Sequence, residues 1–348
     1  MSASVSDPLA THGMLVLSIL SAAALVGSVF YIFYPAVEVF RRGARGKDTL
    51  DVLQNAERVS ATNPPLISII IPAYNEEERI TIMLQEAFDY LSLKSCPALE
   101  SLRQAVRHYN SLATVDSRTI EWIVVNDGST DQTCQVYESF VRNIPKQQTP
   151  MTWKCLSLAR NSGKGAAVQA GMLRAKGLFR LMVDADGATS FRPGLEAVTA
   201  SLQGTQAPIV FGSRAHLEQT VQRSFVRTTL MKGFHILVEW LVGAHEIRDT
   251  QCGFKIFRDD AAAVLFETLH LQRWAFDTEL VFVAHRLQLP MQEVAVPWHE
   301  VEGSKLHTSA FSLIVVAVQM LRDMLCVRLC YTFGLWKVVT LQPASKED

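Results

Sequence analysis

The feature that most constrains this chain is a series of short apolar, β-branched runs that each stop at a polar string. Leu66–Ile71 stops at Pro72, Glu121–Val125 at Asn126-Asp127-Gly128, Phe179–Val183 at Asp184, and Pro208–Gly212 at Ser213-Arg214. Lys154–Leu158 is a weaker member of the series. Runs of this length bounded by turn residues read as strands. Helical patterns lie between them, over Glu77–Leu91, Gln132–Arg142 and Gly165–Ala175. Alternation of this kind predicts an α/β fold with a largely parallel, doubly wound sheet. That domain is expected over residues 66–308, with an insertion at 92–119 and mixed structure from 216.

In open α/β sheets, ligands sit beyond the carboxyl ends of the strands. The polar strings therefore mark a site. Asp184-Ala185-Asp186-Gly187 offers two hard carboxylates if the chain bends there, and glycine permits the bend. Such oxygens suit Mg²⁺ or Mn²⁺. Aspartates capping an ordinary turn are the other reading. Asn126-Asp127-Gly128-Ser129 is good turn chemistry too, yet its carboxylate can also accept from a base N–H or a ribose hydroxyl. Tyr74 is placed to stack on a base, and Glu76 to cap a helix or bind ribose. Glu77 and Glu78 read as first-turn acids. Arg160-Asn161-Ser162-Gly163-Lys164-Gly165 opens a helix whose N-terminus would attract phosphate. It is no P-loop, because Leu158 and Gly165 stand where Gly and Ser or Thr are required. No G-x-G-x-x-G follows the first strand, and the histidines lack metal-ligand spacing.

From Gly13 to Tyr34 no residue is charged. At about 1.5 Å per residue this reaches across the ~30 Å hydrocarbon core of a bilayer. Arg41, Arg42, Arg45 and Lys47 follow, and no Lys or Arg precedes. The positive-inside rule then predicts a single transmembrane helix over 13–34 with the rest of the chain cytosolic. Residues 35–65 read as a juxtamembrane helix and linker. Residues 309–340 turn apolar again, and Ser312, Gln319, Arg322 and Asp323 share one sector of a helical wheel. With Arg328 off that sector and Gly334 beyond it, they read as a pair of amphipathic membrane-associated helices; a helix buried on the sheet is the other reading. The six cysteines have no C-x-x-C pair, so free thiols are expected. Lysine plus arginine (33) nearly balances aspartate plus glutamate (34), so no basic field argues for nucleic acid.

The ordered set SIIIPAYNEE, IVVNDGSTD, RNSGKGAAV, LMVDADG, VFGSR, DTQCGFK, RWAFDTEL and EGSK closely resembles the dolichyl-phosphate β-glucosyltransferases, inverting members of glycosyltransferase family 2. The resemblance runs from the anchor to Lys305. It implies a GT-A catalytic fold, UDP-glucose as donor, dolichyl phosphate as acceptor, the lipid bilayer as setting and the endoplasmic reticulum as location. It also implies roles for residues. Pro72, Tyr74, Glu76 and Asp127 would line the nucleotide pocket, and Lys164 would meet the leaving diphosphate. Asp184 and Asp186 match the metal motif. Arg214 and Arg227 resemble the residues that hold the acceptor phosphate, with Lys305 nearby. Asp249, Gln251, Trp274, Asp277 and Glu279 fall in motifs that shape the sugar pocket. His299-Glu300-Val301-Glu302 replaces the arginine that many mannosyl relatives carry before Gly303. Another polyprenyl-phosphate glycosyltransferase, a mannosyl one for example, and a non-catalytic nucleotide-sugar scaffold stay as alternatives. A homo-oligomer stays open.

Overall fold

The computed structural model describes residues 24–41, 64–109, 119–145, 150–203, 207–216, 243, 246–301 and 310–339. Among them, helix α1 (Ala24–Arg41) precedes the domain. There follow β1 (Ile67–Ala73), α2 (Ile80–Leu91), α3 (Pro97–Tyr109), β2 (Ile120–Asn126), α4 (Thr133–Asn143), β3 (Met151–Ser157) and α5 (Lys164–Arg174). Then come β4 (Phe179–Val183), α6 (Phe191–Ser201), β5 (Ile209–Ser213), β6 (Phe254–Arg258), α7 (Asp259–Thr268), α8 (Phe276–Arg286), β7 (Met291–Ala295) and α9 (Ala310–Thr332).

The strands form one sheet in the order β3-β2-β1-β4-β6-β5-β7. β1 and β2 are buried along almost their whole length, as strands covered on both faces must be. Side chains alternate between faces. Ile70 joins a core with α5, α7, α8 and α9, whereas Ile67, Ile69 and Ile71 join one with α2, α3 and α6. β3 sits at the edge and is only half-buried.

The expected strands and the alternation are present, and two features correct the expectation. β6 and β7 complete the sheet from the stretch read as mixed, and β6 runs antiparallel to both β4 and β5. The reversal sets Phe254 opposite Val183, which brings Gly253 beside Asp184 just beyond the strand ends. The 92–119 segment contributes α3, whose apolar face packs into the core beside α6.

Among the described residues the C-terminal segment forms one helix where a pair is expected, and it ends shortly before Gly334, where φ is 70°. Met324, Cys326, Val327, Cys330 and Tyr331 are buried in the core that α8 shares. Its polar sector turns inward at Asp323, which is paired to Arg322 at 2.7 Å. The Arg322 guanidinium lies over the rings of Tyr31 and Tyr34 on α1, at 5.2 and 5.6 Å. Phe33, Ala36 and Val39 of α1 pack against the same core. The opposite side of α9 leaves Ile314, Val315 and Val318 exposed. Residues 13–23, Arg42, Arg45 and Lys47 lie outside the described residues. All six cysteines are free thiols.

Candidate active site

The loops after β1 and β2 are stitched to each other. The Asn75 amide donates to Ser129 Oγ (2.9 Å), and the Thr130 amide donates to Asn75 Oδ1 (2.8 Å). The Glu76 amide donates to Thr133 Oγ1, and the Gln132 amide to the Glu77 carboxylate, each at 2.8 Å. Asn75 takes φ 53°, a left-handed conformation that asparagine tolerates better than most residues. Glu76 is gripped by Arg79 through two hydrogen bonds of 2.8 and 2.7 Å. Glu77 and Glu78 precede α2 instead of sitting in its first turn, and Glu77 binds the neighbouring loop.

Asp127 is almost fully buried and accepts from the amides of Ser162 (2.6 Å) and Gly163 (2.8 Å). Burial pushes its pKa up, and those two amides and Arg273 oppose the rise. Each carboxylate oxygen has a second lone pair, so Asp127 holds the β3–α5 loop and retains acceptor capacity. Gly163 adopts φ 104°, and a Cβ there would lie 2.5 Å from the Gln272 carbonyl oxygen. Only glycine allows α5 to begin this close to the 269–275 loop.

Beyond β4 the chemistry changes to charge. Lys164 Nζ lies 2.7 Å from Asp184 Oδ1 and 2.9 Å from Oδ2. Burial alone would lower the Lys164 pKa, but Asp184, Asp277 and Asp186 outweigh it and hold the pKa above the ordinary value. The ammonium also lies 5.7 Å from the ring centroid of Trp274, which is itself partly exposed. The Asp184 carboxylate fills the space beside Gly253, where a Cβ would fall 1.8 Å from Oδ2. Asp186 Oδ1 accepts from the Ala188 amide at 3.0 Å, and Gly187 makes the expected bend at φ 70°. Behind them Asp277 pairs with Lys255 at 2.8 Å, both fully buried. Burial raises the Asp277 pKa, against the pull of Lys255 and Lys164.

Asp184, Asp186 and Asp277 carry three negative charges against two from Lys164 and Lys255. Such a cluster repels an approaching diphosphate and receives a divalent cation, so the donor set fits a Mg²⁺ or Mn²⁺ held by Asp184 and Asp186. Among the described residues no group of three or more acids, histidines or cysteines forms a closed metal cage. An ion here would need further oxygens from ligand and water.

Near enough to Asp184 for its charge to be felt, Arg214 forms a two-point pair with Asp249, with Nε to Oδ2 at 2.8 Å and a terminal nitrogen to Oδ1 at 2.9 Å. Burial would raise the Asp249 pKa, but Arg214 holds it below the usual carboxylate range. Arg214 keeps three of its five N–H donors beyond that pair. Its guanidinium lies 5.6 Å from the Trp298 ring centroid. Among the described residues, Gln251 Nε2, near this pair in sequence, is buried without a hydrogen-bond partner, as is Thr278 Oγ1, next to Asp277 in sequence. An unpartnered buried donor costs about 1–3 kcal/mol, which a bound hydroxyl or phosphate would relieve.

The structure thus brings Lys164, Asp184, Asp186, Trp274 and Asp277 into one cluster. Pro72 and Tyr74 stand at and just beyond the end of β1. Glu279 does not join the cluster. It is fully buried on α8 and binds His270, Leu271 and Tyr331. Arg227 and Lys305 lie outside the described residues. Sequence reasoning missed Lys255, Gly253 and Trp298; a lone lysine inside the apolar run FKIF was the available signal for the first. A separate cleft of about 680 Å³ lies between α2 and α4, away from these groups.

Known proteins can be set beside this geometry. A family model described as glycosyl transferase family 2 matches residues 68–266. The chain is 39% identical over 349 residues to the dolichyl-phosphate beta-glucosyltransferase of Drosophila melanogaster, covering 95% of this chain and 96% of that one. It is 40% identical over 281 residues to the human protein of the same name, covering 78% of each. Among solved structures, mannosyl-3-phosphoglycerate synthase from Rubrobacter xylanophilus superposes with a TM-score of 0.51 at 18% identity, over 81% of this chain and 78% of that one. That likeness speaks for the fold alone, the GT-A fold.

Proposed function

Since the chain belongs to glycosyl transferase family 2, and within it to the dolichyl-phosphate β-glucosyltransferases, we propose that it moves glucose from UDP-glucose to dolichyl phosphate with inversion, giving dolichyl β-D-glucosyl phosphate. The observation that carries this reading is a site with two charged ends, one suited to a diphosphate through a divalent cation and Lys164, the other to a phosphate directly. The first is formed by Lys164 and the Asp184/Asp186 pair, the second by Arg214 on its Asp249 support.

A phosphate monoester is already anionic near neutral pH. Its oxygen attacks the anomeric carbon from the face opposite the diphosphate, so no residue need remove a proton. What remains is positioning and charge stabilisation. Arg214, fixed by Asp249, presents its remaining N–H donors to the acceptor phosphate and offsets repulsion between the two anions. Arg227 and Lys305 belong to the same acceptor set by resemblance. Lys164 meets the charge that develops on departing UDP. Gln251 Nε2 and Thr278 Oγ1 are the buried donors available to glucose hydroxyls. Asp184 and Asp186 would hold Mg²⁺ or Mn²⁺, which supplies Lewis-acid stabilisation of the leaving group. The frame of Tyr74, Asn75 and Asp127 shapes the base and ribose pocket.

The setting we infer is the endoplasmic-reticulum membrane, with α1 as part of the anchor and the catalytic domain cytosolic. α1 is long and apolar enough by composition, with mean hydropathy 1.3, and its exposed rings and the exposed row Ile314, Val315 and Val318 suit a lipid surface. The test is lipid product measured from UDP-glucose and GDP-mannose side by side in membranes. Product from UDP-glucose alone is expected; product from GDP-mannose alone overturns the donor assignment. Protease added to sealed microsomes should digest the domain beyond residue 50, and protection would overturn the topology.

A further inference from the structure

The mechanism leaves unused a buried carboxylate that is among the most heavily bonded groups described. Glu279 is fully buried on α8. It accepts from the His270 amide (3.1 Å), the Leu271 amide (2.6 Å) and the Tyr331 hydroxyl (2.9 Å), and lies 3.0 Å from His270 Nδ1. Tyr331 belongs to α9. The His270 ring also stacks on Trp336, just past α9, at 4.2 Å with 2° between planes. The Val339 amide donates to Thr268 Oγ1 at 3.1 Å. The C-terminal segment is therefore fastened to the start of the 269–275 loop at several independent points.

That loop reaches the donor side of the site at its other end. The Gln272 carbonyl accepts from the Ala166 amide at 3.0 Å, within the first turn of α5. Arg273 lies against Gly163 and acts on Asp127. Trp274 carries its ring beside Lys164. Residues two apart on a helix point about 200° apart, at roughly 100° per residue. Asp277 and Glu279 on α8 accordingly serve opposite directions, one the charge cluster and the other the C-terminal helix.

We propose that Glu279 and Tyr331 are positioning residues for donor binding: together they clamp the His270–Leu271 amides so that the 269–275 loop presents Arg273 and Trp274 to the nucleotide-sugar pocket. This makes α9 a support of the donor site as well as a membrane-facing element. The proposal rests on the donor reading given above.

The experiment titrates UDP, with Mg²⁺ or Mn²⁺, into the full-length protein in detergent or nanodiscs. Tyr331→Phe removes one donor and keeps the ring. We expect UDP affinity to fall about fivefold, the scale of one lost charge-assisted hydrogen bond partly transmitted through the loop. KM for UDP-glucose should rise in step, with KM for dolichyl phosphate unchanged. Glu279→Gln should show a larger loss, and the double variant less than the product of the two, because both act on one node. Ile82→Ser, at an exposed position of α2, is the neutral control. If Glu279→Gln fails to fold, Tyr331→Phe alone decides. UDP affinity and donor KM equal to wild type in a folded Tyr331→Phe would overturn the proposal. Wild-type protein that binds GDP and not UDP would instead overturn the donor reading, and the same variants titrated with GDP would then test the clamp.

Discussion

The two sides of the site are built from different interactions. On the β1/β2 side, loops are joined by side-chain oxygens accepting from backbone amides: Asn75 with Ser129 and Thr130, Glu77 with Gln132, and Asp127 with Ser162 and Gly163. These hydrogen bonds satisfy one another before any ligand arrives. On the β4/β6 side the groups are charges: Lys164 with Asp184, Lys255 with Asp277, and Arg214 with Asp249. Close to Asp249 and Asp277 in sequence, Gln251 and Thr278 carry buried polar atoms with no hydrogen-bond partner among the described residues. The first side is a finished frame that fixes shape. The second is an unfinished charge arrangement that a ligand completes. A base and ribose need the former; two phosphate groups meeting at a sugar need the latter.

If that contrast is right, single changes on the charged side should cost far more turnover than single changes in the frame. The largest effect is expected for Asp184→Asn and Asp186→Asn. Each removes a charge from the proposed metal pair, and turnover should fall about 10³-fold or more. Thermal melting should change little, because neither carboxylate is fully buried. Steady-state kinetics over a range of Mg²⁺ and Mn²⁺ would check it. Full activity in chelator, or in both variants, would erase the distinction between the two sides.

Next comes Lys255→Met. Its ammonium is fully buried against Asp277 and also donates to the Cys252 carbonyl. Removing one member of a buried ion pair leaves an uncompensated charge, worth roughly 3–5 kcal/mol of stability. Adding Asp277→Asn removes that charge and should recover part of the loss. Chemical denaturation of both variants is the measurement. A loss below about 1 kcal/mol for Lys255→Met would mean that water reaches this pair and that the charged side is less enclosed than its burial states.

The frame gives the smaller signal. Ser129→Ala deletes the acceptor for the Asn75 amide, and the cost should be about 1 kcal/mol of stability or a few-fold in KM for UDP-glucose. A loss as large as that of Asp184→Asn would show that the frame takes part in chemistry.

The same contrast governs what could be read from the sequence. β1, β2, β4 and β5 announce themselves because strands covered on both faces need mostly apolar runs, with at most one charge in each, and each run stops at a polar string. β6 does not, since FKIFR carries Lys255 and Arg258, and its antiparallel direction has no sequence signature. β7, MQEVA, is half-buried at the sheet edge and stays inside the stretch read only as mixed. The Asp184 and Asp186 cluster was legible from its position after a strand. Glu279 was not, because a motif gives proximity in sequence while the helix sends Asp277 and Glu279 in opposite directions. The wheel sector expected on α9 does not share one environment, since Gln319 is exposed and Asp323 buried: periodicity does not reveal what a sector faces. Tyr31 and Tyr34 cover Arg322, which only the packed structure places together.

The smallest expected effect concerns how the charged side holds itself together without ligand. Arg214 keeps the Asp249 pKa below its unfolded value. The anionic form is thus favoured in the folded protein, and the pair's contribution is fully present above the unfolded pKa of about 3.9. It is lost as pH falls through the lower folded pKa, where Asp249 becomes protonated. Melting temperature measured between about pH 6 and pH 3 should therefore decline, with part of the decline belonging to this pair. In Asp249→Asn that part is missing at every pH, so the variant starts less stable near neutrality and its curve runs flatter in acid. The pair is partly open to solvent, so the difference should be modest. Frame variants such as Ser129→Ala lack an ionisable change and should shift the whole curve without flattening it. Parallel curves for Asp249→Asn and wild type would show that Arg214 is not held by charge, and the proposed presentation of its remaining donors to an acceptor phosphate would lose its support.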